Sequence, residues 1–129
     1  MLFRLVCSPG NLDGTPDGWV GTMLEEGELA LLVDDGGLDA ISRVAHGLDL
    51  VTVPLLRTED GAEPQERTVL RYAGSKPLIW VAPSFGDATT SWARDRGPMT
   101  LLVQTGAPLT EDECKRVERF VTILGRQAE

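Results

Sequence analysis

The chain holds one histidine, two cysteines and one tyrosine in 129 residues, and its 12 Lys and Arg face 20 Asp and Glu. Each shortage removes a class of function. One histidine and two cysteines far apart in sequence, Cys7 and Cys114, cannot build a Cys/His zinc site, and no metal or other cofactor is expected. Two cysteines do not make the disulfide framework of a small secreted domain. A net charge of −8 leaves no basic face to neutralise phosphates, so direct nucleic-acid binding by this domain is not expected. No apolar stretch approaches the ~18 residues that span a bilayer, which argues against a membrane segment or partner. Met1 opens directly on a strand-like run, without a basic n-region, apolar h-region or cleavage site, so a cytoplasmic location is expected.

What is present is one domain's worth of chain, 42% apolar, long enough to bury a core. The acidity is uneven: residues 1–64 carry 12 acidic and 3 basic side chains, a net of −9, whereas residues 65–129 carry 8 and 9, a net of +1. We expect one domain over residues 1–125, with 126–129 as a tail or the start of a linker.

Glycine punctuates the chain. Five helix-compatible runs end at Gly27, Gly47, Gly74, Gly97 and Gly125, where a helix can stop with positive φ. Each run also has a plausible start. Thr15-Pro16 would cap the first, whose stripe is Trp19, Val20, Met23 and Leu24. Asp35 or Gly36-Gly37 would open the second, lined by Leu38, Ile41, Ala45 and Leu48. Glu63-Pro64 opens the third, with Val69, Leu70 and Ala73, and Asp87 the fourth, with Trp92 and Ala93. Thr110 and Glu113 form a capping box for the fifth, whose stripe is Cys114, Val117, Phe120, Val121 and Leu124.

Between the helices lie strand-like runs: Leu2–Cys7, Leu29–Val33, Leu50–Val53, Leu78–Ala82 and Thr100–Val103. Most are continuously apolar, the pattern of strands covered on both faces. Five alternations of strand and helix predict an α/β fold, a (βα)5 doubly wound five-stranded parallel sheet of the flavodoxin-like or receiver-like kind. Arg67–Ala73 is also compatible with a hairpin strand, which would give a mixed α+β sheet of the small sensory-domain type.

These runs resemble the receiver domains of response regulators along the whole chain. Residues 24–41 are similar to the passage from their first helix through strand 2 to helix 2, and residues 48–54 to their third strand. Lys76 to Pro83, with Gly86-Asp87 and Arg96-Gly97-Pro98, resembles the fourth strand and helix; Leu101 to Gln104, then Thr110 to Leu124, resembles the fifth pair. The resemblance places the receiver pocket at Cys7, Ser8, Pro54, Ala82 and Gln104. Receivers hold Mg²⁺ on an acidic pair where Cys7 and Ser8 stand, and their phosphate-accepting aspartate aligns with Pro54. Their switch hydroxyl aligns with Ala82, with Ser84 two residues late, and their lysine with Gln104. A hard cation needs carboxylate oxygens, and phosphoryl transfer needs that cation. The resemblance therefore implies a degenerate pseudo-receiver of an atypical response regulator, working without aspartyl phosphorylation.

Other motifs carry rival readings. Asp34-Asp35, after the second strand, suits helix capping better than metal binding. The loop from Cys7 to Thr15 loosely resembles the phosphocysteine loop of sugar-phosphotransferase IIB components, and more faintly the flavodoxin phosphate loop. A phosphatase loop would need arginine at Asp13, and Asp13 and Asp17 would repel phosphate. Ser91 to Pro98 is similar to the Trp-x-Arg-Asp-x-Gly-Pro motif of agmatine and peptidyl-arginine deiminases, but His46 lies upstream of it and Cys114 on an apolar helix face. That match reads as coincidence, and His46 as a helix-end cation. Trp19 and Trp92 read as core anchors.

Receivers commonly pair through helix 4, strand 5 and helix 5. The matching segments carry Arg94, Asp95, Arg96, Lys115, Arg116, Glu118 and Arg119, and mixed signs suit a two-fold contact as well as a solvated face. The expectation is a signalling domain rather than an enzyme. It would be homodimeric and regulate through contact with a protein partner or output domain, as the N-terminal regulatory part of a transcriptional regulator. The alternatives are a phosphocarrier or enzyme using Cys7, and an acidic inhibitor or immunity-type binding protein.

Overall fold

In a computed structural model of the chain, the described residues are 2–12, 15, 18–25, 27–32, 39, 42, 43, 46, 55–56, 62–105 and 108–128. Strands β1 (Phe3–Cys7), β2 (Gly27–Leu32), β3 (Leu55–Leu56), β4 (Leu78–Ala82) and β5 (Thr100–Gln104) alternate with helices α1 (Trp19–Leu24), α2 (Ala62–Ala73), α3 (Asp87–Arg96) and α4 (Glu111–Ala128). Asp39, Ser42, Arg43 and His46 are also helical and exposed. Their i, i+3, i+4, i+7 spacing is that of one helix face, within the second predicted helix. The residues assigned to its buried side, with Asp34, Asp35 and the expected third strand Leu50–Val53, lie outside the described residues.

All pairings are parallel and the order is β3-β2-β1-β4-β5. The α/β class with a parallel sheet is therefore as expected. The four longer strands alone run 2-1-3-4, compatible with a flavodoxin-like sheet. The full order departs from the receiver order 2-1-3-4-5, in which the third strand lies beside the first. Here that slot is filled: Arg4, Leu5 and Val6 of β1 align with Leu78, Ile79 and Trp80 of β4, and β3 pairs outside β2 at Leu31 and Leu32.

The strands are apolar throughout because both faces are covered. On one face Phe3, Leu5, Cys7, Leu29, Leu31, Ile79, Val81 and Val103 meet Trp19, Val20 and Met23 of α1 and Cys114, Val117, Val121 and Leu124 of α4. On the other, Val6, Ala30, Leu32, Leu78, Trp80 and Ala82 meet Val69 and Ala73 of α2, with Tyr72, Phe85 and Trp92 packed beside them. Trp80 is fully buried and meets Phe85 edge to face, ring centroids 5.0 Å apart.

Arg67–Ala73 is helical, which removes the hairpin alternative. Val69 and Ala73, one turn apart, bury against the sheet, and Tyr72 adds a polar anchor. The Arg4 guanidinium lies 4.6 Å from the Tyr72 ring centroid and donates to the Tyr72 carbonyl, while the Tyr72 hydroxyl donates to Glu28. Arg4 and Glu28 are register partners on β1 and β2, so two charged side chains at the amino end of the sheet are both bound by one residue of α2. Burial, then Glu28, push the Tyr72 hydroxyl above its usual range, and it stays a donor.

Several expected boundaries move. Thr15 is not the first cap: its hydroxyl donates to the Leu12 carbonyl at 2.8 Å, closing the preceding turn, and α1 starts after left-handed Gly18 (φ 80°) with no side-chain cap. Gly74 (φ 54°) and Gly97 (φ 63°) end helices as expected. Gly27 does not. It is the first residue of β2, and a Cβ there would lie 2.4 Å from Phe3 Cζ, so glycine is needed for close approach to a buried ring. Gly125 lies inside α4, which runs on to Ala128. The capping box forms reciprocally: Thr110 N–H donates to Glu113 Oε1 at 3.0 Å and Glu113 N–H to Thr110 Oγ1 at 3.2 Å.

Two glycine substitutions should therefore move stability in opposite directions. Gly27→Ala overpacks Phe3 and should destabilise by about 1–3 kcal/mol, with partial recovery in Gly27→Ala/Phe3→Leu. Gly125→Ala meets open space and should stabilise by up to about 1 kcal/mol. Urea unfolding midpoints read both.

Candidate functional site

In an open parallel sheet, ligands collect beyond the carboxyl ends of the strands, where successive connections leave to opposite faces. That point lies between β1 and β4. The chain leaves β1 for α1 on one face and β4 for α3 on the other. The rim there is made by Cys7 and the 3₁₀ turn Pro9–Leu12 after β1, by Ala82 to Gly86 after β4, and by Gln104 and Thr105 after β5.

The structure brings Cys7, Ser8, Ala82 and Gln104 to these strand ends, as the receiver alignment expects; Pro54 lies outside the described residues. Register pairs Ala82 with Gln104. Cys7 is fully buried in the α1/α4 core, and burial pushes its thiol up to about 12. At neutral pH that leaves far less thiolate than an exposed thiol has, and the thiolate is the nucleophile. Cys114 is likewise buried and its thiol raised, first by burial and then by Glu118 and Glu113.

The first loop closes on itself. Ser8 N–H donates to Asn11 Oδ1 at 3.0 Å, Asn11 N–H to the Ser8 carbonyl at 3.0 Å, and Leu109 N–H to the Asn11 carbonyl at 2.9 Å. Asn11 is 6% exposed and so fastens the loop after β1 to the segment between β5 and α4. Beyond β4 the same thing happens with a charge. Glu66 of α2 reaches the start of α3, where its carboxylate accepts the Gly86 N–H at 2.5 Å. A helix N-terminus attracts anions through such amides, and here a carboxylate of the chain already holds the position. Thr105 N–H is likewise bound, to the Ala82 carbonyl at 2.8 Å. Among the described residues no three of His, Cys, Asp and Glu gather as metal ligands do.

Asn11 and Glu66 were not legible as site residues. Asn11 had a weak local signal, since asparagine in a Pro-Gly-Asn turn bonds nearby backbone. Glu66 had none, because its partner lies 20 residues away.

The expected contact face divides over both sides of the β5 edge, α3 lying on one face of the sheet and α4 on the other. Arg94, Asp95, Arg116, Glu118 and Arg119 are exposed. Lys115 is exposed and paired with Glu111 at 3.3 Å. Arg96 is half-buried: its guanidinium carbon lies 4.4 Å from the Trp92 ring centroid and it donates to the Lys76 carbonyl, while burial lowers its pKa. The Trp-Ala-Arg-Asp-Arg-Gly-Pro run thus ends a helix, with Arg96 stacked one turn after Trp92 and Gly97 as the stop. His46 is exposed.

Iodoacetamide should therefore label Cys7 in native protein at neutral pH at least about 100-fold more slowly than in unfolded chain. A raised folded-state thiol pKa adds stability that is complete below the ordinary thiol range and is lost as the pH climbs toward about 12. Cys7→Ala should flatten that alkaline decline in urea unfolding. Asn11→Ala should cost about 1–3 kcal/mol, because Ser8 N–H loses its acceptor. Comparison of the chain with protein-family models, curated proteins and solved structures finds no match, so its function is argued from this geometry.

Proposed function

We propose that the chain is a signalling module that works by protein contact without phosphoryl transfer, in the manner of a degenerate receiver. The observation that carries this reading is that loop amides beyond β1 and β4 are already taken: Asn11 accepts the Ser8 N–H and Glu66 the Gly86 N–H. Each takes backbone donors that a phosphoryl group or anionic cofactor would use. Cys7, Ser8, Ala82 and Gln104 offer no carboxylate for Mg²⁺, and the buried thiol weighs against a phosphocysteine or enzymatic role for Cys7.

In this reading the sheet is a scaffold and the surface acts. The face is α3, β5 and α4, where Arg94, Asp95, Arg116, Glu118 and Arg119 present both signs, and its partner is a second copy of the chain. Each cation can then meet an acid of its twin across a two-fold axis. A module of this kind would lie N-terminal to the output part of a transcriptional regulator in the cytoplasm.

Two measurements test the proposal. Intact-mass analysis after acetyl phosphate and Mg²⁺ treatment should show no added phosphoryl group; a stoichiometric acid-labile adduct would overturn it. Sedimentation velocity should show a dimer that Arg94→Glu/Arg116→Glu converts to monomer at the same concentration.

A further inference from the structure

Among the described residues no strand pairs with the outer side of the edge strand β5. Thr105 N–H bonds the Ala82 carbonyl, continuing the parallel β4–β5 ladder in which Val81 aligns with Val103 and Ala82 with Gln104. Alternate residues of a strand present both backbone groups to opposite neighbours. Thr105 faces β4, so Val103 and Leu101 do too, and Thr100, Leu102 and Gln104 turn their N–H and C=O groups outward. The Arg4 N–H to Pro77 carbonyl bond fixes the same alternation on β4, with Ile79 facing β1 and Leu78, Trp80 and Ala82 facing β5.

The strand itself carries none of the usual edge residues. Sheet edges are blunted with lysine, proline, bulges or inward charges, and Thr100-Leu-Leu-Val-Gln104 contains none of them. Leu101 and Leu102 are only half-buried, whereas their register partners Ile79 and Trp80 are fully buried. The flanking helices carry exposed charges of both signs, Arg94 and Asp95 on one side and Arg116, Glu118 and Arg119 on the other.

We infer that β5 pairs antiparallel with β5 of a second copy, about a two-fold axis at Leu102, joining two sheets into one. This deepens the proposed function and rests on its contact face. Leu102 would bond to its own twin and Thr100 to Gln104 of the other copy. These pairs use every outward group of the strand and no group that already bonds β4. The two-fold axis sets α3 beside its twin on one face and α4 beside its twin on the other, where mixed signs are self-complementary.

The test uses proline at outward positions, which removes an edge donor and leaves the β4 ladder intact. Leu102→Pro should raise the dimer dissociation constant about 5- to 150-fold, from the loss of two symmetry-related hydrogen bonds. Gln104→Pro, at an exposed position, should weaken the dimer in the same direction with an unchanged circular dichroism spectrum. In wild-type protein, hydrogen exchange at the Leu102 and Gln104 amides should slow as concentration rises through the dimerisation range. A dimer that persists in both proline variants, with no concentration-dependent protection, but is lost in Arg94→Glu/Arg116→Glu overturns strand pairing and leaves the contact face standing. A monomer at every concentration overturns both. If Leu102→Pro fails to fold, Gln104→Pro and the wild-type exchange decide.

Discussion

The direct ladder between β1 and β4 is the constraint on which the rest of the structure depends. It joins the first strand to one made more than half the chain later, and it places β1 at the middle of the sheet with both faces covered. Phe3, Leu5 and Cys7 then face α1 and α4, while Val6 faces α2. The same pairing puts the switch point between β1 and β4, sends β3 outside β2, and leaves β5 as an edge. Order, crevice and surface follow from one register.

Much of this was written in local pattern. Leu78–Ala82 was legible to the residue because a continuous apolar run has one use in a sheet covered on both sides. The Thr110 and Glu113 box was legible because its bonds close within one turn. Strand order was not, since apolar runs specify burial and not neighbours; the four longer strands keep an order compatible with a flavodoxin-like sheet, and the two-residue β3 outside β2 departs from it. Gly27 was misread for a related reason. Glycine serves both positive φ and close approach, and only the position of Phe3 distinguishes the two.

The candidate site was half legible. Cys7, Ser8, Ala82 and Gln104 lie at or just after strand ends, and strand ends follow from strands. The groups that take up the loop amides were not legible, because Asn11 and Glu66 act through contacts made only after folding. The acidic balance also takes a sharper meaning. Among the described residues, carboxylates serve the chain itself: Glu66 holds the start of α3, Glu28 receives the Tyr72 hydroxyl and Glu113 accepts the Thr110 N–H. A protein of net charge −8 thus spends acid on internal fastening as well as on solubility.

The long reach of the β1–β4 pairing also governs how the chain comes to be folded. β1 is synthesised first, yet its second neighbour is encoded beyond the midpoint, so the central core cannot close while β4 is still unmade. Sheets dominated by such distant pairings fold slowly, because the chain must close a large loop before the contacts reward it. Until β4 is made, β1 is therefore an apolar strand still lacking one side, open to wrong partners.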